Sequence, residues 1–200
     1  MCKEVIIIGA GGHGKVIADI IEKCGDKVLG FLDDGAREET FGYKVLGKSR
    51  DANKYPDKEF FIAIGNNAVR KKIATANPNL KFYTAIHPAA IISRGVEIGE
   101  GTCVMAGCVI NADTKIGNHV IINSGSVVEH DNNVSDFVHL SPGAVLCGTV
   151  SVGECTHIGA GVTVKNNVSI TGETIIGVGA AVVNDIEMPG TYCGVPAKIM

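Results

Sequence analysis

Glu129-His130-Asp131 sets an imidazole between two carboxylates. A carboxylate beside a histidine can fix its tautomer, and an imidazole held that way can take a proton from a substrate. Five more histidines follow different patterns. His13 lies in a glycine-rich stretch, His87 precedes Pro88, and His119, His139 and His157 fall in the C-terminal half. His87 reads as structural. His119 and His157 read as solvated and idle, the ordinary fate of a surface histidine.

A second stretch with chemical potential is Gly9-Ala10-Gly11-Gly12-His13-Gly14. It follows a short buried strand, Val5-Ile8, and precedes a helical pattern from about Lys15 to Lys23 whose buried face is Val16, Ile17, Ile20 and Ile21. A second strand, Val28-Leu32, ends in Asp33-Asp34. Strand, glycine turn, helix and acid-tipped strand match GxGxxG with an acid about 20 positions on, the dinucleotide-binding fingerprint. Glycines let backbone approach a ligand, the helix N-terminus offers free N–H groups to phosphate, and the acid can accept from a ribose or base. Phe60-Ile64 predicts another strand, and Asn67 to Ala76 a helix stopped by Asn77-Pro78. Only half of a doubly wound domain fits before the pattern changes near Ile86. That argues against NAD and for a nucleotide diphosphate of another kind.

The element that must carry His130 runs from Ile86 to Val182. Every sixth residue over that span is aliphatic, seventeen in succession. A helix repeats near 3.6 and a flat strand at 2, whereas a period of six means short strands joined by corners and wound into a solenoid. The residue after each aliphatic is often Gly or Asn, as at Gly99, Asn111, Gly117, Asn123, Gly153, Gly159 and Gly177, types that reach positive φ at corners. The residue four after it is small or β-branched, as at Thr102, Thr114, Ser126, Ala144, Thr156, Thr174 and Ala180, which suits a narrow interior. Three hexads make one triangular coil, so residues eighteen apart stack at about 4.8 Å. His139 and His157 therefore share a column. His130 shares one with Ala112 and Gly148, so its neighbouring coils offer a methyl and no side chain, and it is expected to face an open slot.

Composition sets outer bounds. The chain is 46% hydrophobic and 20% charged with a net charge of -3, a soluble profile that gives no reason to expect nucleic acid or an anionic membrane. No apolar run is long enough for a membrane span. The start leads straight into a strand and does not read as a signal peptide. Seven scattered cysteines without a CxxC pair read as reduced packing residues of a cytoplasmic protein.

Gly9 to Gly14, Phe31-Leu32-Asp33-Asp34, FFIAIGNNAVR from Phe60 to Arg70, SVVEHD from Ser126 to Asp131 and GVPAK from Gly194 to Lys198 together resemble the sugar acyltransferases of the PglD/NeuD type, in the same order along nearly the whole chain. The resemblance implies an α/β half-Rossmann domain over 1–84 that binds a nucleotide sugar. It implies a left-handed parallel β-helix over 85–200, with a C-terminal tail covering its open end. It implies acetyl-CoA as co-substrate, no metal, and a homotrimer with active sites between adjacent prisms. Gly11, Gly12, His13, Asp33, Asp34 and Gly65 would hold the UDP part of the substrate. His130 matches the family's general base, and Asp131 stands where close relatives carry a supporting Glu. Asn123 matches a polar residue near the reacting groups. His139 and Gly148 match positions that contact acetyl-CoA, with Ala160 and Val178 lining its path. The expected reaction is acetyl transfer to the 4-amino group of a UDP-4-amino-4,6-dideoxy-N-acetylhexosamine, a bacillosamine-type step in glycan biosynthesis. Transfer to a sialic acid hydroxyl is the alternative, and a non-catalytic nucleotide-sugar-binding protein is more remote. A zinc enzyme of the γ-carbonic anhydrase kind would need histidines five residues apart, and no such pair exists.

Overall fold

The structure, a computed structural model, describes residues 2–200. The N-terminal part is a sheet with helices on both sides. β1 (Glu4–Ile8) lies at its centre, flanked by β2 (Lys27–Leu32) and β5 (Glu59–Ile62). β3 (Glu39–Thr40) and β4 (Tyr43–Gly47) extend one side and β6 (Lys81–Phe82) the other. All pairings except the β3–β4 hairpin are parallel. β1 reads as an unbroken apolar run because both of its faces are covered: Val5 and Ile7 pack with helix α1 (Gly12–Lys23), Ile6 and Ile8 with Ala74 of helix α2 (Asn67–Ala76).

Helix α1 begins earlier than its apolar pattern, because the glycine loop already supplies its first turn. Its buried face is Ile17, Ala18, Ile20 and Ile21, whereas Val16 is 41% exposed, against expectation. Gly14 is demanded by close approach: a Cβ there would stand 2.2 Å from the Gly9 carbonyl oxygen. The hairpin β3–β4 and the 3-10 turn Ser49–Lys54 are features that the sequence pattern did not predict.

Past Phe82 the chain enters a triangular parallel β-helix of two-residue strands. Its first face stacks Ala85–Ile86, Cys103–Val104, Ile121–Ile122, His139–Leu140, His157–Ile158 and Ile175–Ile176. The second runs from Ile91–Ile92 to Ala181–Val182 and the third from Glu97–Ile98 to Ser169–Ile170. Every partner is eighteen positions away, as in Cys103 with Ile121. The aliphatic column is buried from Val104 to Val182, and so are the interior residues Thr102, Thr114, Ser126 and Thr156. Interior hydroxyls are satisfied coil to coil: Thr102 Oγ1 donates to the Gly117 carbonyl at 2.8 Å.

Positive φ does occur once per corner from Gly95 to Gly179, but three residues after the aliphatic rather than one. Gly107, Gly125, Gly143 and Gly161 adopt it, and so do Asp113, His119, Asp131, Phe137, Thr149 and Cys155. The glycines directly after the aliphatics serve another purpose, since backbone of the next coil lies against them. A Cβ at Gly117 would sit 2.7 Å from the Asp136 nitrogen, and one at Gly159 2.6 Å from the Ile176 oxygen.

The tail adds an irregular final coil. Ile186 bridges Ile170, Thr191–Cys193 pairs with the last first-face strand, and Lys198–Ile199 folds back antiparallel as its outer edge. The Val195-Pro196 bond is cis.

One arginine joins the two parts. Arg70 of α2 is fully buried, with Nε donating to the His119 carbonyl at 2.8 Å and guanidinium N–H groups reaching the carbonyls of Ile64 (2.9 Å) and Phe137 (2.8 Å) and Oδ1 of Asn67 (2.9 Å). Asn67 Nδ2 donates onward to the carbonyls of Cys155 and Thr156. Burial lowers the Arg70 pKa to about 10, which leaves it charged at neutral pH.

Candidate active site

His130 follows Val127–Val128 of the second face and opens the corner leading to Asn133–Val134 of the third. Its side chain is 58% exposed and points away from the apolar interior. Nδ1 meets Asp131 Oδ2 at 2.7 Å. A carboxylate only accepts, so Nδ1 carries the proton, and in the neutral ring Nε2 keeps a free lone pair. Glu129 turns the other way, its Oε2 accepting from Asn111 Nδ2 at 2.9 Å. Only one of the two flanking carboxylates therefore orients the ring. The expected open slot is filled by the imidazole itself: a Cβ at Gly148 would lie 2.7 Å from both Cε1 and Nε2.

The other expected residues gather elsewhere. The glycine loop, Asp33 and Gly65 surround the C-terminal ends of β1, β2 and β5, where parallel α/β sheets bind ligands. Asp33 braces this mouth, accepting from the nitrogens of Ala10 (2.7 Å) and Gly35 (2.8 Å). Asp34 accepts from Ser49 Oγ (2.7 Å) and the Ser49 nitrogen (3.0 Å), bonds that hold its carboxyl below the ordinary range. Around Gly11 and Gly12 a Cβ would meet nothing, so their backbone at the start of α1 is open to a ligand. His13 Nε2 is buried without a partner, and burial, assisted by the charge of Arg70, pushes its pKa down to about 4.

His139 of the first face closes one wall. Its Nδ1 faces the Gly65 carbonyl at 3.3 Å and its Nε2 faces Asn123 Nδ2 at 3.4 Å, a pattern satisfied by the neutral, Nδ1-protonated ring. Burial, then the neighbouring His157, lowers its pKa to about 3. His157 stacks on it at 4.7 Å, and its Nε2 meets Ser141 Oγ at 2.8 Å, so it is not the idle surface residue expected. His119 is 4% exposed, between the ring of Phe137 (5.1 Å, stacked) and the edge of Phe82 (4.5 Å). It reads as a surface corner, yet the N-terminal part covers that corner.

The expected set thus divides. Gly65, Asn123 and His139 come together beside the mouth. Ala160 and the 80% exposed Val178 lie on the edge between the first and second faces, as Asn123 does. His130, Asp131 and Gly148 lie on the edge between the second and third faces, with strand Val127–Val128 separating them from Asn123. Arg70 and Asn67 were missed as organising residues because their partners in the β-helix are 49 to 89 positions away. Among the described residues, no group of three or more His, Cys, Asp or Glu side chains is arranged to hold a metal ion. All seven cysteines are free thiols. No helix among the described residues is long and apolar enough to cross a membrane.

Comparison with known proteins defines the class. Residues 4–76 match the PglD N-terminal domain, and residues 95–130 match the bacterial transferase hexapeptide repeat. The perosamine N-acetyltransferase of Caulobacter crescentus, solved as a histidine-to-asparagine variant with CoA and GDP-perosamine, is 38% identical with a TM-score of 0.95 over 100% of this chain and 98% of that one. The acetyltransferase domain of PglB from Neisseria gonorrhoeae, solved with acetyl coenzyme A, is 35% identical with a TM-score of 0.95 over 100% of both chains. A UDP-N-acetylbacillosamine N-acetyltransferase of Bacillus subtilis is 46% identical over 114 residues, 52% of this chain and 52% of its own, so the match spans about half the length of that curated relative. The chain belongs to the PglD/NeuD-type family of hexapeptide-repeat sugar acyltransferases.

Proposed function

We propose that the protein transfers the acetyl group of acetyl-CoA to the amine of a nucleotide-linked amino sugar, with His130 as general base. The observation that carries this reading is the exposed imidazole, oriented by Asp131 at 2.7 Å and seated over Gly148. The preferred acceptor is the 4-amino group of a UDP-4-amino-4,6-dideoxy-N-acetylhexosamine. The Bacillus subtilis relative is named for a UDP sugar and the Caulobacter crescentus one binds GDP-perosamine, so the handle common to both is a nucleotide diphosphate. Sialic acid has no diphosphate for the glycine loop and suits the site less well.

The chemistry follows from the tautomer. Nε2 of His130 takes a proton from the amine as its nitrogen attacks the thioester carbonyl. The N–C bond forms, and the carbonyl π pair moves to oxygen, where a backbone N–H or the Asn123 amide supplies a donor. Collapse breaks the C–S bond, and the imidazolium returns the proton to the departing sulfur. No cysteine is needed as nucleophile, so transfer is direct.

His130 and Asn123 occupy different edges of one prism. A site that uses both His130 and a mouth containing His139 and Gly65 would form between neighbouring prisms, in keeping with the homotrimer that the family resemblance implies and that we take as the working form. The test is thiol release from acetyl-CoA against UDP-amino sugars, GDP-amino sugars and sialic acids, with His130→Ala alongside. We expect turnover of a nucleotide amino sugar and a loss of about 10²- to 10⁴-fold in kcat for His130→Ala. Equal or better turnover of sialic acid would overturn the acceptor; unchanged kcat in His130→Ala would overturn the base.

A further inference from the structure

The buried column four residues after each aliphatic contains Thr102, Cys108, Thr114, Val120, Ser126, Val138, Ala144, Val150, Thr156, Val162, Val168, Thr174 and Ala180. One member departs from this small or β-branched set. Asn132, 1% exposed, carries a carboxamide two residues after His130.

Its hydrogen bonds can be compared with those of a threonine in the same column. Thr114 Oγ1 donates to the carbonyl fifteen residues on, Glu129, at 2.8 Å, and accepts from the nitrogen eighteen residues on, Asn132, at 3.3 Å. Thr102 repeats both bonds with Gly117 and Val120. Asn132 makes the same two: Nδ2 donates to the Cys147 carbonyl at 3.1 Å, and Oδ1 accepts from the Val150 nitrogen at 3.0 Å. It then adds a bond that neither of these threonines makes. The second Nδ2 proton donates backward into its own corner, to the Glu129 carbonyl at 2.5 Å; the His130 carbonyl lies alongside at 3.4 Å, a distance that Thr174 Oγ1 also keeps from the carbonyl two residues before it, Gly172.

This extra bond falls on the backbone that leads into His130, while the two ordinary ones fall on either side of Gly148, over which the ring is seated. Satisfying these carbonyls does not require Asn132. The Glu129 carbonyl already accepts from Thr114, and the His130 carbonyl accepts from the Thr149 nitrogen at 2.9 Å.

We propose that Asn132 is a positioning residue for the transfer reaction: it ties the corner bearing His130 to the corner bearing Gly148 and so fixes where Nε2 points. This rests on the reading of His130 as the base. The site itself need not change shape for the effect to be large, since displacement of a reacting group by about 1 Å can cost about 10²-fold.

Asn132→Thr separates this role from a structural one. It keeps the coil-to-coil bonds found at Thr102 and Thr114 and removes the backward bond to Glu129. Asn132→Val, which installs the residue found at positions 120, 138 and 150, serves as a second variant. We expect Asn132→Thr to melt close to wild type, to keep the KM of both substrates within about twofold, and to lose about tenfold in kcat. Adding it to His130→Asn should cost nothing further. Wild-type kcat in Asn132→Thr or Asn132→Val, or a loss no larger than the unfolded fraction, overturns the proposal. So does a further full tenfold loss in the His130→Asn background. Should His130→Asn alone keep full activity, the base assignment fails instead, which distinguishes the two readings.

Discussion

The smallest decisive feature is the missing side chain at Gly148. Its backbone makes no special turn, yet a methyl there would meet two atoms of the His130 ring at 2.7 Å. The same column holds a methyl at Ala112 with no such penalty, because no ring leans over it. Gly148→Ala should therefore fold normally and displace the imidazole. We expect a loss of about tenfold or more in kcat with an unchanged melting temperature, read by steady-state kinetics beside thermal denaturation. Full activity would mean that the ring works from a different seat. Asp131 illustrates a related point. It is one methylene shorter than the Glu that the family resemblance implies there, yet its carboxylate reaches Nδ1, at a corner where Asp131 has φ 58°.

At the scale of the element, the corner between the third and first faces is the one that carries buried histidine. His119 stacks in a phenylalanine pair with Nδ1 unpartnered, and burial pushes its pKa down to about 4. His13 and His139 are lowered to about 4 and about 3, mainly by burial. In the unfolded chain each titrates near 6.5. Between those values the unfolded chain binds more protons, so stability is complete above pH 6.5 and falls as pH drops toward 4. His119→Phe removes one such group and its orphan nitrogen at a corner conformation that Phe137 already adopts one coil on. We expect it to raise the melting temperature relative to wild type more at pH 5 than at pH 7.5, by differential scanning calorimetry; an equal shift at both would contradict the burial argument. The aliphatic period of the solenoid was legible because it is a local rule repeated by every hexad. The conformation of His119, Phe137 and Cys155 was not, since coil-to-coil hydrogen bonds impose positive φ there regardless of side chain. Nor was its burial, which depends on Arg70 and Phe82 arriving from the other part of the chain. The acid-tipped strand and glycine loop were legible as a motif, whereas the use of Asp33 as a brace for Ala10 became visible only with the loop folded.

For the whole molecule the question is how edges meet. His130 stands on one edge of the prism and the mouth proposed to take the nucleotide opens beside another, so the proposed site draws on two copies. Complementation measures this directly. Gly11→Leu should close the mouth without an internal clash, since nothing lies within 4 Å of a Cβ at Gly11. His130→Ala and Gly11→Leu should each abolish turnover alone, while co-assembly at equal amounts should restore about a quarter of wild-type activity through sites that pair an intact histidine with an intact mouth. No recovery on mixing would put the whole site in one chain. The two ends of the solenoid are covered differently. The first coil packs against the end of α1, where Cys24 Sγ meets the Ile86 carbonyl at 3.1 Å, and Arg70 of α2 holds the corners at His119 and Phe137 in the coils after it, whereas the last coil is finished by a two-strand ribbon whose outer member, Lys198–Ile199, is exposed. Because each coil hydrogen-bonds only to its neighbours, thermal opening has a direction, starting at the exposed Lys198–Ile199 ribbon and running inward. The corner of His130 lies several windings from that ribbon, so the outermost turns can open transiently while that corner stays wound.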